Sequence, residues 1–171
     1  DVALSIAKAL RAELSTDERT RVARRPTENL EAYDHYLRSR VWYQRYTPEG
    51  YRRGMIELDR AIALDPDFAL AYAAIAYAQT ELGISGAVGV SPEETTRRAK
   101  EAVASALALD DELAEAHGAA ALIRFVADYD WQGAEREFLR AIELGPGIAE
   151  IRDHYNWLLS SLERYDDALR E

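Results

Sequence analysis

The sequence predicts an all-α protein built from repeated, antiparallel helix pairs. The main observation is a segment that returns three times, as AIALDPDFALAY at 61–72, ALALDDELAEAH at 106–117 and AIELGPGIAEIR at 141–152. Each copy ends one helical pattern at a proline, aspartate or glycine break and then opens an alanine-rich one. Proline suits this position because it stops a helix but fits the first turn of the next. The copies begin 45 and 35 residues apart, and this spacing is typical of a repeat array.

Composition and patterning support the same fold class. Alanine, leucine, glutamate and arginine dominate, and all four favour helices. No stretch alternates apolar and polar residues as a half-buried strand would. Hydrophobic residues at 48% and charged residues at 30% are typical of a soluble globular protein. The 171 residues include no cysteine, which excludes disulfides, a thiolate nucleophile and a cysteine-based zinc site.

The net charge of −10 bears on the class of partner. All of the negative excess lies in 61–171, which argues against a binder of the phosphate backbone, because such a binder needs clustered positive charge. We therefore expect no nucleic-acid partner. The local exception is the cluster Arg19, Arg21, Arg24 and Arg25. We interpret it as a solvated stretch or as an intramolecular partner for the acidic half.

Targeting signals are not recognisable in the sequence. It has no run of 18 apolar residues, and its amino end lacks the basic and apolar regions of a signal peptide. We expect a cytoplasmic location without membrane contact. Because the chain starts at Asp1 and stops at Glu171 inside a helical pattern, we also expect it to be a segment of a longer protein.

Residues 1–25 are predicted to form a connector helix and a linker. Apolar residues recur at every fourth position: Val2, Ile6, Leu10 and Leu14. This spacing is typical of a short amphipathic helix. A capping box over 15–18 indicates a second short helix over about 17–24. The apolar stripe has three candidate partners: the first helix pair, the groove of the array, or a second copy of the chain. We favour packing on the first helix pair.

Start and stop signals divide the rest of the chain into helices. Pro48 and Pro92 are well placed to open helices, whereas 65–66 and 145–146 mark breaks. The glycine-rich stretch 83–90 is predicted to be a loop, because it lacks the phosphate-binding glycine patterns and no strand precedes it. The predicted helices span about 29–46, 49–64, 68–82, 91–109, 112–127, 131–144 and 147–162, with a last helix starting at 165.

The spacing of small and large apolar residues points to a known repeat. Ala134, Phe138, Ala141 and Pro146 match the pattern A-x3-F-x2-A-x4-P. In this respect the chain resembles the tetratricopeptide repeat (TPR). The resemblance implies a right-handed superhelix of stacked helix pairs over 26–171. Its repeats would span about 29–68, 69–113, 114–148 and a truncated 149–171.

The opening segment 26–40, PTENLEAYDHYLRSR, has a narrower resemblance. It is similar to the TPR tails of bacterial signalling proteins, which follow cyclase, kinase or winged-helix output domains. The helix predicted over 1–14 fits that setting as a connector. This resemblance implies that the chain comes from a larger bacterial regulatory protein.

Candidate catalytic groups form no recognisable constellation. His35, His117 and His154 are isolated in the sequence and lack the spacing of metal ligands. The acidic group 110–112 stands at a helix start, where capping and the helix dipole explain it. No serine has a histidine and aspartate context. We predict that the chain is not an enzyme and that it holds no cofactor or metal.

The resemblance implies that the first helix of each repeat lines a concave groove for a partner. Carried onto this sequence, the groove residues are Tyr33, Tyr36, Arg40, Tyr43, Leu70, Tyr77, Leu122, Phe125, Asp153 and Trp157. Tyrosine and tryptophan are common interface anchors. We hypothesise that the groove holds an apolar partner segment and that its acidic far end favours basic residues. The alternative is that several of these aromatics form core between repeats.

The resulting functional prediction is a protein–protein interaction scaffold. The lysine, asparagine and arginine clamp of the family's chaperone-tail binders is not expected, because acidic residues stand in the later repeats. One alternative is a structural spacer or homodimerising module, and another is a small-molecule sensor that uses the groove and the loop 83–90. We expect alanine at Tyr36, Tyr43 and Trp157 to abolish partner capture while leaving helicity unchanged.

Overall fold

A computed structural model describes residues 25–170, and these residues contain eight helices and no strand. In chain order the helices are α1 (Leu30–Tyr43), α2 (Pro48–Leu64), α3 (Ala69–Ile84), α4 (Pro92–Leu109), α5 (Ala114–Val126), α6 (Trp131–Leu144), α7 (Ala149–Ser161) and α8 (Tyr165–Ala168). The predicted all-α class is confirmed. The apolar stripe of 2–14, the short helix of 17–24 and the arginines at 19, 21 and 24 lie outside the described residues. None of the helices described is long and apolar enough to cross a bilayer.

The helices pack as consecutive pairs that stack on one another. α1 packs on α2, α3 on α4, α5 on α6, and α7 on α8, while α3, α5 and α7 also contact each other in sequence. Each pair therefore contributes its first helix to one side of the stack. This is the helix-pair repeat architecture that the sequence predicts.

Side-chain caps place the start of several helices. The Asn29 side chain accepts hydrogen bonds from the amides of Glu31 and Ala32 at the start of α1. Thr47, Ser91 and Asp130 do the same for one amide each at the starts of α2, α4 and α6. Such side chains satisfy amides that have no partner within the helix. The predicted starts at Ser91 and Asp130 are confirmed.

Two predicted carboxyl ends of helices differ from the structure by two residues or more. α1 stops at Tyr43 rather than near 46, because Tyr46 takes a left-handed conformation (φ 49°) and Thr47 already caps the next helix. α3 continues through Gly83 to Ile84. A Cβ at Gly83 would collide with the Thr95 hydroxyl, so this glycine serves close packing between α3 and α4. The sequence predicted that the helix would end before Gly83, but Gly83 lies within it.

The core combines small residues at helix crossings with large residues between the pairs. The recurrent alanines Ala61, Ala106 and Ala141 are fully buried, and this allows close approach of neighbouring helices. The larger fully buried side chains are Leu58, Phe68, Leu122, Phe138, Ile151, Leu158 and Leu159. Ala141, Leu122, Phe138, Ile151, Leu158 and Leu159 belong to one continuous cluster that includes residues of α3 to α7. The later pairs therefore share one core, as expected when no single repeat can bury its own apolar face.

Candidate functional site

Side chains of α1, α2, α3 and α7 and of the connection between α1 and α2 enclose a cavity of about 330 Å³. Four tyrosines contribute to its wall: Tyr43, Tyr46, Tyr51 and Tyr77. Its charged residues are Arg40, Glu81, Glu150, Asp153 and His154. We call this cavity the tyrosine pocket. Its walls come from the first two helix pairs and from α7, so the pocket depends on the curvature of the stack.

Two ion pairs link α7 to the earlier helices across this pocket. Arg40 Nη1 of α1 lies 2.9 Å from Glu150 Oε2 of α7, although 110 residues separate them. His154 Nε2 of α7 lies 3.1 Å from Glu81 Oε1 of α3. The His154 ring also packs on the Tyr77 ring, with the ring centres 5.6 Å apart. These contacts fix the position of α7 opposite α1 and α3.

Two tyrosine hydroxyl groups of the pocket have no hydrogen-bond partner within residues 25–170. These are the buried Oη atoms of Tyr43 and Tyr77. Burial raises the pKa of both phenols well above the usual range, and the nearby carboxylates add to the effect. Tyr51 differs because its hydroxyl lies 3.5 Å from Glu81. A buried polar atom without a partner is costly, so each such atom calls for a physical explanation.

Negative charge exceeds positive charge around the pocket. Glu81, Glu150 and Asp153 supply three carboxylates, while the cations are Arg40 and, when protonated, His154. Glu115 adds to the acidic field from α5, and burial raises the pKa of its carboxyl. A cavity with aromatic walls and surplus carboxylates favours a cationic group over an anionic one.

His154 makes the stability of the fold depend on pH. Burial opposes its charged form, but the hydrogen bond to Glu81 and the charges of Glu81 and Glu150 outweigh burial and raise its pKa above 6.5. A group with a raised pKa in the folded state stabilises the fold below its unfolded pKa, and this stability is lost as the pH rises through the folded pKa. We therefore expect the contribution of His154 to the free energy of unfolding to decline as the pH is raised from about 6 to about 8.

The measurement is urea unfolding across that pH range for the parent chain and for His154→Gln. The stability difference between the two should shrink as the pH rises. His35→Gln serves as a comparison, because His35 pairs with Glu57 at 2.7 Å on α1 and α2, away from the pocket. A difference between the parent and His154→Gln that stays constant with pH would contradict the assignment.

A second, apolar cavity of about 340 Å³ lies at the carboxyl ends of α3, α5 and α7. Its lining includes Ile84, Phe125, Tyr129, Trp131, Trp157 and Leu162. We call it the tryptophan pocket. Trp157 meets Phe125 edge to face, with ring centres 4.8 Å apart, and still exposes 42% of its surface. Trp131 exposes 49%. Large half-exposed aromatic side chains around an apolar cavity are typical of a binding surface.

The two pockets adjoin along the same helices. On α7, Asp153 lines the tyrosine pocket and Trp157 lines the tryptophan pocket. On α3, Glu81 lines the tyrosine pocket and Ile84 lines the tryptophan pocket. Residues three or four positions apart on a helix share one face, so the pockets are about one helical turn apart. Together they form a continuous surface, which we call the α3–α7 groove.

Comparisons with known proteins give a clear result at the level of fold. No family model matches the sequence, and no curated protein matches it. Among solved structures, the NMR structure of the first TPR domain of human RPAP3 is 16% identical, with a TM-score of 0.58 over 81% of this chain and 97% of that one. The first TPR of Spaghetti (RPAP3) bound to the HSP90 peptide SRMEEVD is 15% identical, with a TM-score of 0.56, and the match covers 80% and 97%. The fold is that of a TPR domain.

The TPR fold distributes the predicted groove residues over several environments. Arg40, Tyr43, Tyr77 and Asp153 line the tyrosine pocket. Phe125 and Trp157 line the tryptophan pocket. Leu70 lines a separate cavity of about 410 Å³ at the amino ends of α3, α5 and α7. Six of the ten predicted residues therefore lie in the α3–α7 groove.

Three predicted groove residues belong to the packing of the TPR fold instead. Leu122 is fully buried in the core, so it offers no surface to a partner. Tyr36 is 9% exposed and packs on Phe68, with ring centres 5.6 Å apart, and Tyr33 stacks on Tyr36 at 6.0 Å. Burial raises the pKa of Tyr36 to about 12, against the opposing effect of Arg40. For Leu122 and Tyr36 the alternative of core between helices holds, whereas Tyr33 is only partly buried against that core.

The structure also shows site residues that the sequence did not single out. Trp131 stands at the start of a second helix, whereas the TPR resemblance directed attention only to first helices. Tyr129 sits in the preceding turn with a left-handed backbone (φ 56°). His154 is isolated in the sequence, and its partner Glu81 lies 73 residues away. The close spacing of the aromatic residues at 125, 129 and 131 is the sequence signal that could have indicated the tryptophan pocket.

Ile84 lines the tryptophan pocket, but the rest of the glycine-rich stretch 83–90 lies apart from both pockets. Gly86 and Gly89 have positive φ values of 66° and 76°, which are the backbone conformations that glycine tolerates best. Val88 is almost completely exposed. Residues 85–90 form a solvent-facing loop after α3, and they line neither pocket. Within residues 25–170, no three acidic or histidine side chains converge as metal ligands.

Proposed function

We propose that the chain is a protein–protein interaction module that binds a segment of a partner protein along the α3–α7 groove. The observation that carries this proposal is the tryptophan pocket, with Trp131 and Trp157 each about half exposed around an apolar cavity. Aromatic side chains of this kind supply much of the binding energy at protein interfaces. The fold supports the same proposal, since one of the two RPAP3 structures described above, the first TPR of Spaghetti, is bound to an HSP90 peptide.

The charge of the groove indicates a different kind of peptide from that one. The RPAP3 peptide SRMEEVD carries two glutamates and an aspartate. The pocket of the present chain already contains Glu81, Glu150 and Asp153. An acidic peptide tail would meet like charges there, and such an arrangement is unfavourable. We infer that the partner segment is apolar and carries basic residues.

The setting of the module is also a proposal. The resemblance of 26–40 to the tails of bacterial signalling proteins supports a place in a larger, cytoplasmic regulatory protein. In that protein, residues 1–25 would act as a connector and 26–171 as the array. The module would then bring a partner to an output domain. Neither nucleic acid nor a membrane is an expected partner of this acidic chain.

The structure changes which variant tests the function. Tyr36 is part of the core, so alanine there would open a cavity and confound a binding experiment. Trp157→Ala removes a half-exposed ring and is the better choice. Tyr165→Ala is its matched control, because Tyr165 is 60% exposed on α8 and lies outside both pockets.

We expect a displayed peptide library, selected on the full chain, to yield peptides that bind through the tryptophan pocket. Fluorescence polarisation should show at least about tenfold weaker binding to Trp157→Ala than to the parent, because loss of an interface anchor typically has this effect. Tyr165→Ala should bind like the parent. Peptides that bind all three proteins equally would contradict the proposal. If no peptide is selected and the molecular mass in solution rises with protein concentration, the chain is better explained as a structural spacer or homodimerising module.

A further inference from the structure

The tyrosine pocket has the chemistry of a receptor for an organic cation. Its wall contains four tyrosine rings, of which Tyr43 and Tyr51 are in contact with ring centres 6.0 Å apart. The faces of aromatic rings attract ammonium and guanidinium groups through their quadrupoles. The volume of about 330 Å³ falls at the lower end of the range for ligand pockets. It suits one side chain rather than a large cofactor.

The charges of the pocket leave one carboxylate without a partner. Glu150 is paired with Arg40, and Glu81 is paired with His154. Asp153 is exposed and has no ion-pair partner within residues 25–170. An incoming cation would therefore form an ion pair with the Asp153 carboxylate without displacing an existing ion pair. When His154 is neutral, Glu81 adds to this attraction.

The tyrosines of the pocket contribute their rings rather than their hydroxyls. Tyr43 and Tyr77 line the pocket, but their Oη atoms are buried, and the Tyr77 Oη lies against Gly118 of α5. A planar guanidinium group stacks on aromatic faces and presents its N–H donors to a carboxylate in a fixed fork. Aromatic walls beside the Asp153 carboxylate thus match an arginine side chain better than a lysine side chain.

The position of the pocket indicates where that cation comes from. Asp153 and Trp157 lie one turn apart on the same face of α7, so the cation site continues directly into the tryptophan pocket. An extended segment advances about 7 Å over two residues, which is comparable to one helical turn. A basic and an apolar side chain two residues apart would therefore reach the two pockets together.

We propose that the tyrosine pocket binds the arginine side chain of the partner segment while an apolar side chain of the same segment fills the tryptophan pocket. This inference rests on the proposed function and names the recognition element of the partner. It assigns charge recognition to Asp153 and to the aromatic rings of Tyr43 and Tyr77. It assigns to Trp157 the apolar contact with the second side chain of the partner segment.

The test uses two synthetic peptides that differ in a single group. Acetyl-Arg-Gly-Trp-amide and acetyl-citrulline-Gly-Trp-amide have nearly the same shape, but only the first carries a charge. We expect the arginine peptide to bind the full chain at least about tenfold more tightly, as loss of a charge-assisted hydrogen bond usually has this effect. Asp153→Asn should reduce the ratio of the two affinities towards one. Asp166→Asn is the matched control, because Asp166 is an exposed carboxylate on α8 outside both pockets.

Trp157→Ala separates this inference from the proposed function. It should weaken binding of both peptides by a similar factor and leave their ratio unchanged. Equal affinities of the two peptides for the parent chain would overturn the inference, even if Trp157→Ala weakens both and the proposed function stands. So would the absence of saturable binding of the arginine peptide. If acetyl-arginine methylamide alone binds as tightly as the peptide and Trp157→Ala has no effect, the pocket is a small-molecule site and the docking of a segment is wrong.

Discussion

Replacing Phe138 with alanine is expected to lower the free energy of unfolding by about 3–5 kcal/mol, the range found for buried phenylalanines. Phe138 is fully buried on α6 and packs against Tyr155 of α7, with ring centres 5.7 Å apart. It therefore joins the third helix pair to the fourth. The loss includes both the apolar surface of the ring and the cavity that remains. A change of this size is a large part of the total stability of a typical domain.

The neighbouring residue supplies the control for this prediction. Leu139 follows Phe138 on the same helix but is 48% exposed, so Leu139→Ala should change the stability by only about 0.5 kcal/mol. Urea unfolding followed by far-ultraviolet circular dichroism measures both. Because the pairs of an array contact mainly their neighbours, Phe138→Ala should also weaken the coupling of α7 and α8 to the rest. Similar stabilities for the two variants would show that the aromatic contact does not hold the pairs together.

The fold could be predicted because its signals are local and repeated. Ala61, Ala106 and Ala141 recur at matching places in the sequence, and all three are fully buried at helix crossings. Caps such as Ser91 and Asp130 act within three residues of their own position. Information of this kind is present in a short window of sequence. The pairing of consecutive helices then follows from the short connections between them.

The site was only partly predictable, because it depends on how far the stack curves. The contact between Arg40 and Glu150 joins residues 110 positions apart, and no local pattern encodes it. The same curvature places His154 beside Glu81 and creates the tyrosine pocket. The resemblance identified the helices that face inward, but it did not show which side chains pack between them. Leu122 and Tyr36 were assigned to the groove for this reason, and they belong to the core.

Gly118 shows how tightly the packing of the first helices and the site are coupled. It lies in the middle of α5, where glycine is a poor helix former. A Cβ at this position would collide with Tyr77 Oη of α3 and crowd the fully buried Ile151 of α7. Neither neighbour can move easily, since the Tyr77 ring packs on His154. The glycine thus permits the close approach of three helices and places a tyrosine of the pocket.

Gly118→Val is accordingly expected to lower the free energy of unfolding by about 1–3 kcal/mol, because overpacking outweighs the gain of a few tenths of a kcal/mol in helix propensity. It should also weaken binding of the arginine peptide more than binding of the citrulline peptide, since Tyr77 lines the tyrosine pocket. Gly147→Val is the matched control, because a Cβ at Gly147 meets no atom within 4 Å. Urea unfolding and fluorescence polarisation of the two variants give both quantities. If Gly118→Val were as stable as the control and bound the arginine peptide equally well, α5 would have room to move away from Tyr77. The close packing of α3, α5 and α7 would then not be what shapes the pocket.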